Sequence, residues 1–172
     1  MPCELCALLW RKNMKILIIS DTHGNLRNFE RVLEHEKEVD MMLHLGDVEK
    51  DEDYLVTVME CPVYIVAGNN DFFSDLPSEI VVQIGKYRVF MTHGHGYYVS
   101  AHTKRLKEAA RSRQADIVVY GHTHRPDIDA TEDVIAVNPG SLSYPRQEGR
   151  RGTYIIMEIN ENNDVKFNLK YV

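Results

Sequence analysis

Lys15–Ser20 (KILIIS), running directly into Asp21-Thr22-His23-Gly24-Asn25, decides how this 172-residue chain is read. A continuous apolar run of strand length is the pattern of a strand covered on both faces. Here the run stops at a group of polar side chains able to bind a metal. The same event recurs four times. Met41–Leu45 (MMLHL) stops at Gly46-Asp47, and Val63–Ala67 (VYIVA) at Gly68-Asn69-Asn70-Asp71. Tyr87–Thr92 stops at His93-Gly94-His95, and Ile117–Tyr120 (IVVY) at Gly121-His122-Thr123-His124.

Working outward, Asn25 is placed to cap a helix in which Leu26, Phe29, Val32 and Leu33 recur at helical spacing. Asp51 is placed to cap a second, carrying Tyr54, Leu55, Val58 and Met59 and ended by Pro62. The first half therefore reads β-α-β-α-β, which implies parallel strands joined by right-handed crossovers. In the second half, Glu79–Ile84 and Tyr87–Thr92 flank Gly85-Lys86 as a hairpin. Ala101–Arg113 reads as a basic helix with Leu106, Ala109 and Ala110 on its apolar side and a solvated charged face. Val134–Val137, Tyr154–Ile159 and Val165–Leu169 read as antiparallel strands, the last two joined by Asn160–Asp164. The expected fold class is α/β: two mixed β-sheets packed as a sandwich flanked by α-helices. One domain is expected over residues 14–172, with residues 1–13 as a poorly ordered N-terminal extension.

Composition narrows the field. A hydrophobic share of 44% and a charged share of 27% allow a real core. The chain is too short for a (β/α)₈ barrel, which needs about 250 residues. A formal net charge of −6 argues against binding a nucleic-acid backbone, which needs clustered Lys and Arg. Cys3, Cys6 and Cys61 make no disulfide framework, so a reducing, cytoplasmic location is expected. Cys3-Glu-Leu-Cys6 has zinc spacing but no second cysteine pair to complete a site. No apolar run approaches the roughly 18 residues of a membrane helix.

If the runs are strands, their polar ends meet, because ligands of an open α/β sheet bind outside the carboxyl ends of its strands. Read as extended, Asp21 and His23 point the same way and can share an ion. His122 and His124 can do likewise or divide between two adjacent ions, and Asp47 has two oxygens with which to bridge them. Oxygen and imidazole donors without thiolate suit manganese, iron, nickel or zinc. Two ions about 3.5–4 Å apart clamp a phosphoryl group during displacement. His44, inside a run, and His35, on a helix flank, are read as non-ligands, and Asp71 as an acceptor for loop amides.

Asp21-x-His23, Gly46-Asp47, Gly68-Asn69-Asn70-Asp71, His93 and Gly121-His122-x-His124 resemble, in order, the motifs of the calcineurin-like metallophosphoesterase superfamily. Thr92-His93-Gly94-His95 and Asn138-Pro139-Gly140-Ser141 resemble more narrowly its small bacterial and archaeal phosphodiesterase branch. The resemblance implies that Asp21, His23 and His124 bind one divalent ion and Asn69, His93 and His122 a second, with Asp47 bridging. Manganese is the first expectation for both; nickel, iron and zinc are substitutes. Many members carry His after the ligand Asn, where this chain has Asn70, which donates a hydrogen bond but delivers no proton near neutral pH.

The resulting expectation is a phosphodiesterase acting on a small phosphate ester through a metal-bridging hydroxide. Asp47, Asn70 and His95 are its catalytic candidates. His95 either contacts the phosphate or orients His93. The alternative is a protein-binding scaffold of the same fold with little catalysis, as in a retromer subunit. Neither a membrane nor nucleic acid is expected as a partner, and the branch implies a homodimer or homotetramer.

Overall fold

The computed structural model describes residues 13–172. The expected N-terminal extension and the Cys3/Cys6 pair lie outside the described residues, apart from Asn13. Among the described residues ten strands form two five-stranded sheets. The first has the order β10-β9-β1-β2-β3, with β1 Met14–Ile19, β2 Met41–His44, β3 Val63–Ile65, β9 Thr153–Ile159 and β10 Val165–Tyr171. The second has the order β4-β5-β6-β8-β7, with β4 Glu79–Ile84, β5 Tyr87–Thr92, β6 Ile117–Val119, β7 Pro126–Asp129 and β8 Ile135–Pro139. The three described α-helices are α1 (Arg27–His35), α2 (Glu52–Val58) and α3 (Lys104–Ser112).

The apolar strands are buried on both faces because their alternate residues enter different cores. Ile16 and Ile18 of β1 pack with Leu43, Val89, Met91, Ile117 and Ile155 in the layer between the sheets. Leu17 and Ile19 point the other way, onto Phe29 and Val32 of α1 and Leu55 of α2. On the far side, Phe90, Val118 and Ala136 meet Leu106 and Ala110 of α3. The expected sandwich flanked by helices is the architecture found, and β1, β2 and β3 are parallel as read.

Four local readings are corrected. The Asn25 side chain accepts from the Arg27 amide at 3.3 Å, but α1 starts after Leu26. Asp51 precedes α2 without a side-chain cap bond. β8 is parallel to β6 and antiparallel to β7, a strand the sequence did not suggest. Pro-Asp-Ile-Asp pairs along the outer edge of β8, where a strand tolerates an initial proline. The basic face of α3 is not simply solvated. Lys107 is 1% exposed and is held by Asp129 at 2.7 Å, while Arg111 pairs with Asp133 and Arg113 with Glu79.

Candidate metal centre

The carboxyl ends of β1, β2, β3, β5 and β6 face one another across the seam between the sheets. Backbone bonds stitch the loops together: the Asp21 amide donates to Gly46 O at 3.1 Å, the His23 amide to Asp47 O at 2.9 Å, and the Gly121 amide to His93 O at 3.1 Å. Glycine is required where these loops touch. A methyl group on Gly68 would lie 2.1 Å from Asp47 Oδ1 and 2.3 Å from the Asp47 backbone nitrogen.

All seven expected ligands come together, in two groups. Asp21, His23, Asp47 and His124 each offer a donor atom within 4.8 Å of the others. Asn69 Oδ1 lies 3.1 Å from His93 Nε2 and 2.9 Å from His122 Nδ1. Asp47 Oδ2 stands between the groups, 3.7 Å from His23 Nε2 and 3.5 Å from His93 Nε2. The extended reading of the ligand segments is corrected: Asp21, His23, Asp47, His122 and His124 all have φ between 48° and 67°. The ligands are presented by left-handed turns, which aim side chains in ways a strand does not.

Neighbouring groups settle the imidazole tautomers. His93 Nδ1 donates to Leu45 O at 2.7 Å, His124 Nδ1 to Tyr144 O at 2.7 Å, and His23 Nδ1 to Glu49 Oε1 at 2.6 Å. Each partner only accepts, so each Nδ1 carries hydrogen, and in the neutral ring each Nε2 turns a lone pair inward. Such outer bonds orient ligand imidazoles and raise their basicity. His23 Nε2 and His124 Nε2 then face each other at 3.4 Å. Asp21 Oδ1 is a buried acceptor without a well-formed hydrogen bond, although His124 Nε2 is 3.1 Å away. Converging lone pairs, a buried carboxylate and no thiolate fit one or more divalent cations.

The electrostatics agree with a site built for positive charge. Burial alone opposes ionisation of Asp21, but His124 and His93, with the Ser20 hydroxyl, hold its pKa below the ordinary carboxylate value. Burial works against protonation of His124, but Asp21 outweighs it and raises that pKa. Burial, reinforced by His93, lowers His122 and His95.

Asn70 donates to Asp47 twice, from its amide to Oδ1 at 2.8 Å and from Nδ2 to Oδ2 at 2.7 Å. His95 is exposed at the rim, its ring 5.5 Å from that of His93 and 6.1 Å from that of His122. It does not orient His93, because the Leu45 carbonyl does. Asp71 is the expected amide acceptor, taking the backbone N–H groups of Asp47, Val48, Glu49 and Gly68 at 2.7–3.0 Å. Asn138 Nδ2 donates to Gly121 O at 2.9 Å, and Ser141 Oγ to Asp21 O at 2.8 Å, so this motif fastens two ligand loops. Glu49 was not foreseen. It lies two residues after Asp47, and only the folded loop brings it to His23.

His44 and His35 are the structural residues expected. His35 Nδ1 donates to Arg31 O at 2.7 Å within α1. His44 is fully buried, accepts from the Gly46 amide at Nδ1 and donates from Nε2 to Thr22 Oγ1 at 3.0 Å. Burial brings its pKa from the ordinary 6.5 down to about 4. Between these values the unfolded chain binds the proton and the folded one does not, so stability should fall as pH drops from about 6.5 to 4. His44→Gln should show a shallower loss of thermal midpoint over that window. A parallel decline would show that His44 does not carry the effect.

The chain matches the calcineurin-like phosphoesterase superfamily domain over residues 14–162, and it belongs to that superfamily. It is 32% identical to the probable metallophosphoesterase YsnB of Bacillus subtilis over 156 residues, 90% of each chain. It is 32% identical to the phosphodiesterase MJ0936 of Methanocaldococcus jannaschii over 148 residues, 74% of this chain and 83% of that one. A solved structure from Streptococcus pneumoniae, described as a predicted phosphoesterase, superposes with a TM-score of 0.75 at 26% identity, covering 93% of this chain and 99% of that one. Vps29 of Entamoeba histolytica shares the fold at 22% identity, with a TM-score of 0.73 over 92% of this chain and 99% of that one.

Proposed function

We propose that the protein is a dinuclear metal-dependent phosphodiesterase acting on a small phosphate ester. The observation that carries this reading is the gathering of seven side chains from five strand ends, six of them about a central carboxylate, Asp47. Asp21, His23 and His124 would hold one divalent ion, Asn69, His93 and His122 the other, with Asp47 between; manganese suits these donors, as do nickel, iron and zinc. Bound ions of this kind supply Lewis acidity, acidifying a water and neutralising charge on the phosphate.

The chain's own residues do the rest. Glu49, Leu45 O and Tyr144 O lock three imidazoles with Nε2 inward. Asn70 fixes the Asp47 carboxylate through two hydrogen bonds and has none of the acidity a leaving group would draw on. His95 lies at the same rim, its pKa lowered by burial and by His93. A phosphodiesterase of this design depends on the leaving group to depart as an anion.

The test is turnover of aryl phosphodiesters with Mn²⁺ and with chelator. Activity should require metal, and its rate should fall steeply as the pKa of the leaving phenol rises. Asn70→His should flatten that slope. Metal binding without turnover would favour the scaffold reading instead. That reading draws on Phe72 and Phe73, which follow Asp71 at 78% and 99% exposure and suit a protein contact at this rim. A cytoplasmic location, a dimeric or tetrameric state and one domain over residues 14–172 belong to the same proposal. No helix among the described residues is long and apolar enough to cross a membrane.

A further inference from the structure

The candidate centre opens on one side into a hollow of about 900 Å³ whose lining joins His23 and His124 to Arg125, Arg146 and Arg150. We propose that this hollow holds a second phosphate of the substrate, so that the preferred substrate is a phosphodiester carrying a further phosphate group. The inference rests on the phosphodiesterase reading and names its substrate class.

Three observations support it. The arginines are idle within the protein: among the described residues none of the three guanidinium groups has an ion pair or a hydrogen bond. Arg111 and Arg113, by contrast, are engaged, with Asp133 and Glu79. A cluster of unpaired positive charge stands out in a chain of net charge −6. Next, the one acid in the lining is occupied, since Glu49 is bonded to His23 Nδ1 at 2.6 Å.

Third, the backbones of Arg125 and Arg146 are tied to the candidate ligand His124. Arg125 directly follows His124, and the Arg146 amide donates to His124 O at 2.9 Å. The Tyr144 amide donates to Ser141 Oγ at 2.9 Å, and the Arg150 amide to Gln147 O at 3.1 Å. Guanidinium groups pair with phosphate oxygens in a bidentate fork, and several together suit a dianionic phosphate better than an uncharged substituent. An ester with a single phosphate, held at the metal centre, would leave the hollow without an anion.

Two chromogenic substrates separate the possibilities: thymidine 5′-(4-nitrophenyl phosphate) and the same ester with a 3′-phosphate. Both release 4-nitrophenolate from the same diester. With Mn²⁺, the wild-type protein should favour the 3′-phosphorylated ester in kcat/KM by about 10- to 100-fold, the range of one or two charge-assisted hydrogen bonds. The gain should lie mainly in KM, as binding that is equal in ground and transition states requires. In R125A/R146A/R150A the ratio should fall to near one. Absence of a wild-type preference overturns the proposal. So does an equal loss on both esters, which would assign the arginines to the scissile phosphate.

A second measurement does not depend on turnover. Calorimetric titration should show thymidine 3′,5′-bisphosphate binding the wild-type protein more tightly than thymidine 5′-monophosphate, with the difference lost in the triple variant. If neither ester is hydrolysed but this binding difference holds, the hydrolase reading fails and the anion subsite stands. Hydrolysis with no binding difference overturns the subsite alone.

Discussion

Asp47→Ala should lower manganese-supported phosphodiester turnover by on the order of 10³-fold, the scale on which removal of one preorganised charge-stabilising group is felt. Asp47 is the side chain that reaches both donor groups, with Oδ2 3.7 Å from His23 Nε2 and 3.5 Å from His93 Nε2. Its loss also strands the Asn70 side chain, which donates to it at 2.7 Å. Metal stoichiometry, measured on protein loaded with Mn²⁺ and desalted, should drop with activity. His93→Ala makes a useful companion, since it should weaken the Asn69 side of the site first. Full activity in Asp47→Ala would remove the shared carboxylate from the mechanism and with it the dinuclear reading.

Asp71→Ala should produce a large loss of stability, at least about 2 kcal/mol, because two of the amides it serves are buried and each buried donor left unsatisfied costs about 1–3 kcal/mol. Four backbone amides converge on this carboxylate, three from the loop after β2 and one from the loop after β3. Asp71 thus joins the loop that carries Asp47 to the loop that carries Asn69. Denaturant unfolding of metal-free protein reads the effect directly. Asp71→Asn should fall between wild type and alanine, since its carbonyl still accepts while its amide group faces donors. A change below about 1 kcal/mol in Asp71→Ala would mean that water replaces the carboxylate without difficulty.

Much of this architecture is legible before any coordinates. The bounds of β4 and β5 agree with the hairpin reading, and β1 is displaced by one residue. These segments declare themselves because their alternation or continuous apolarity is a local property. β7 does not, since its two aspartates and proline gain strand geometry only from the free edge of β8. Lys107 misleads for a similar reason: its burial depends on Asp129, 22 residues away.

The candidate ligands are readable because each sits at the end of an apolar run, usually beside a glycine. What orients them is not. Leu45 O and Tyr144 O are ordinary backbone carbonyls, and Glu49 is one acid among many. The left-handed backbone of the ligand loops also escaped the reading, because nothing in Asp-x-His spacing distinguishes a turn from an extended segment. The arginines of the adjoining hollow are separated by up to 25 positions (125 to 150) and share no motif.

The left-handed turns under Asp21, His23, Asp47, His122 and His124 have a consequence for the whole molecule. Each such residue costs the native state about 1 kcal/mol relative to an ordinary backbone. Drift toward glycine at these positions would make the empty protein more robust and the loaded one useless. If the proposed site binds manganese, that binding offsets the cost of these turns, and the resistance of the protein to heat should rise with the free manganese concentration around it.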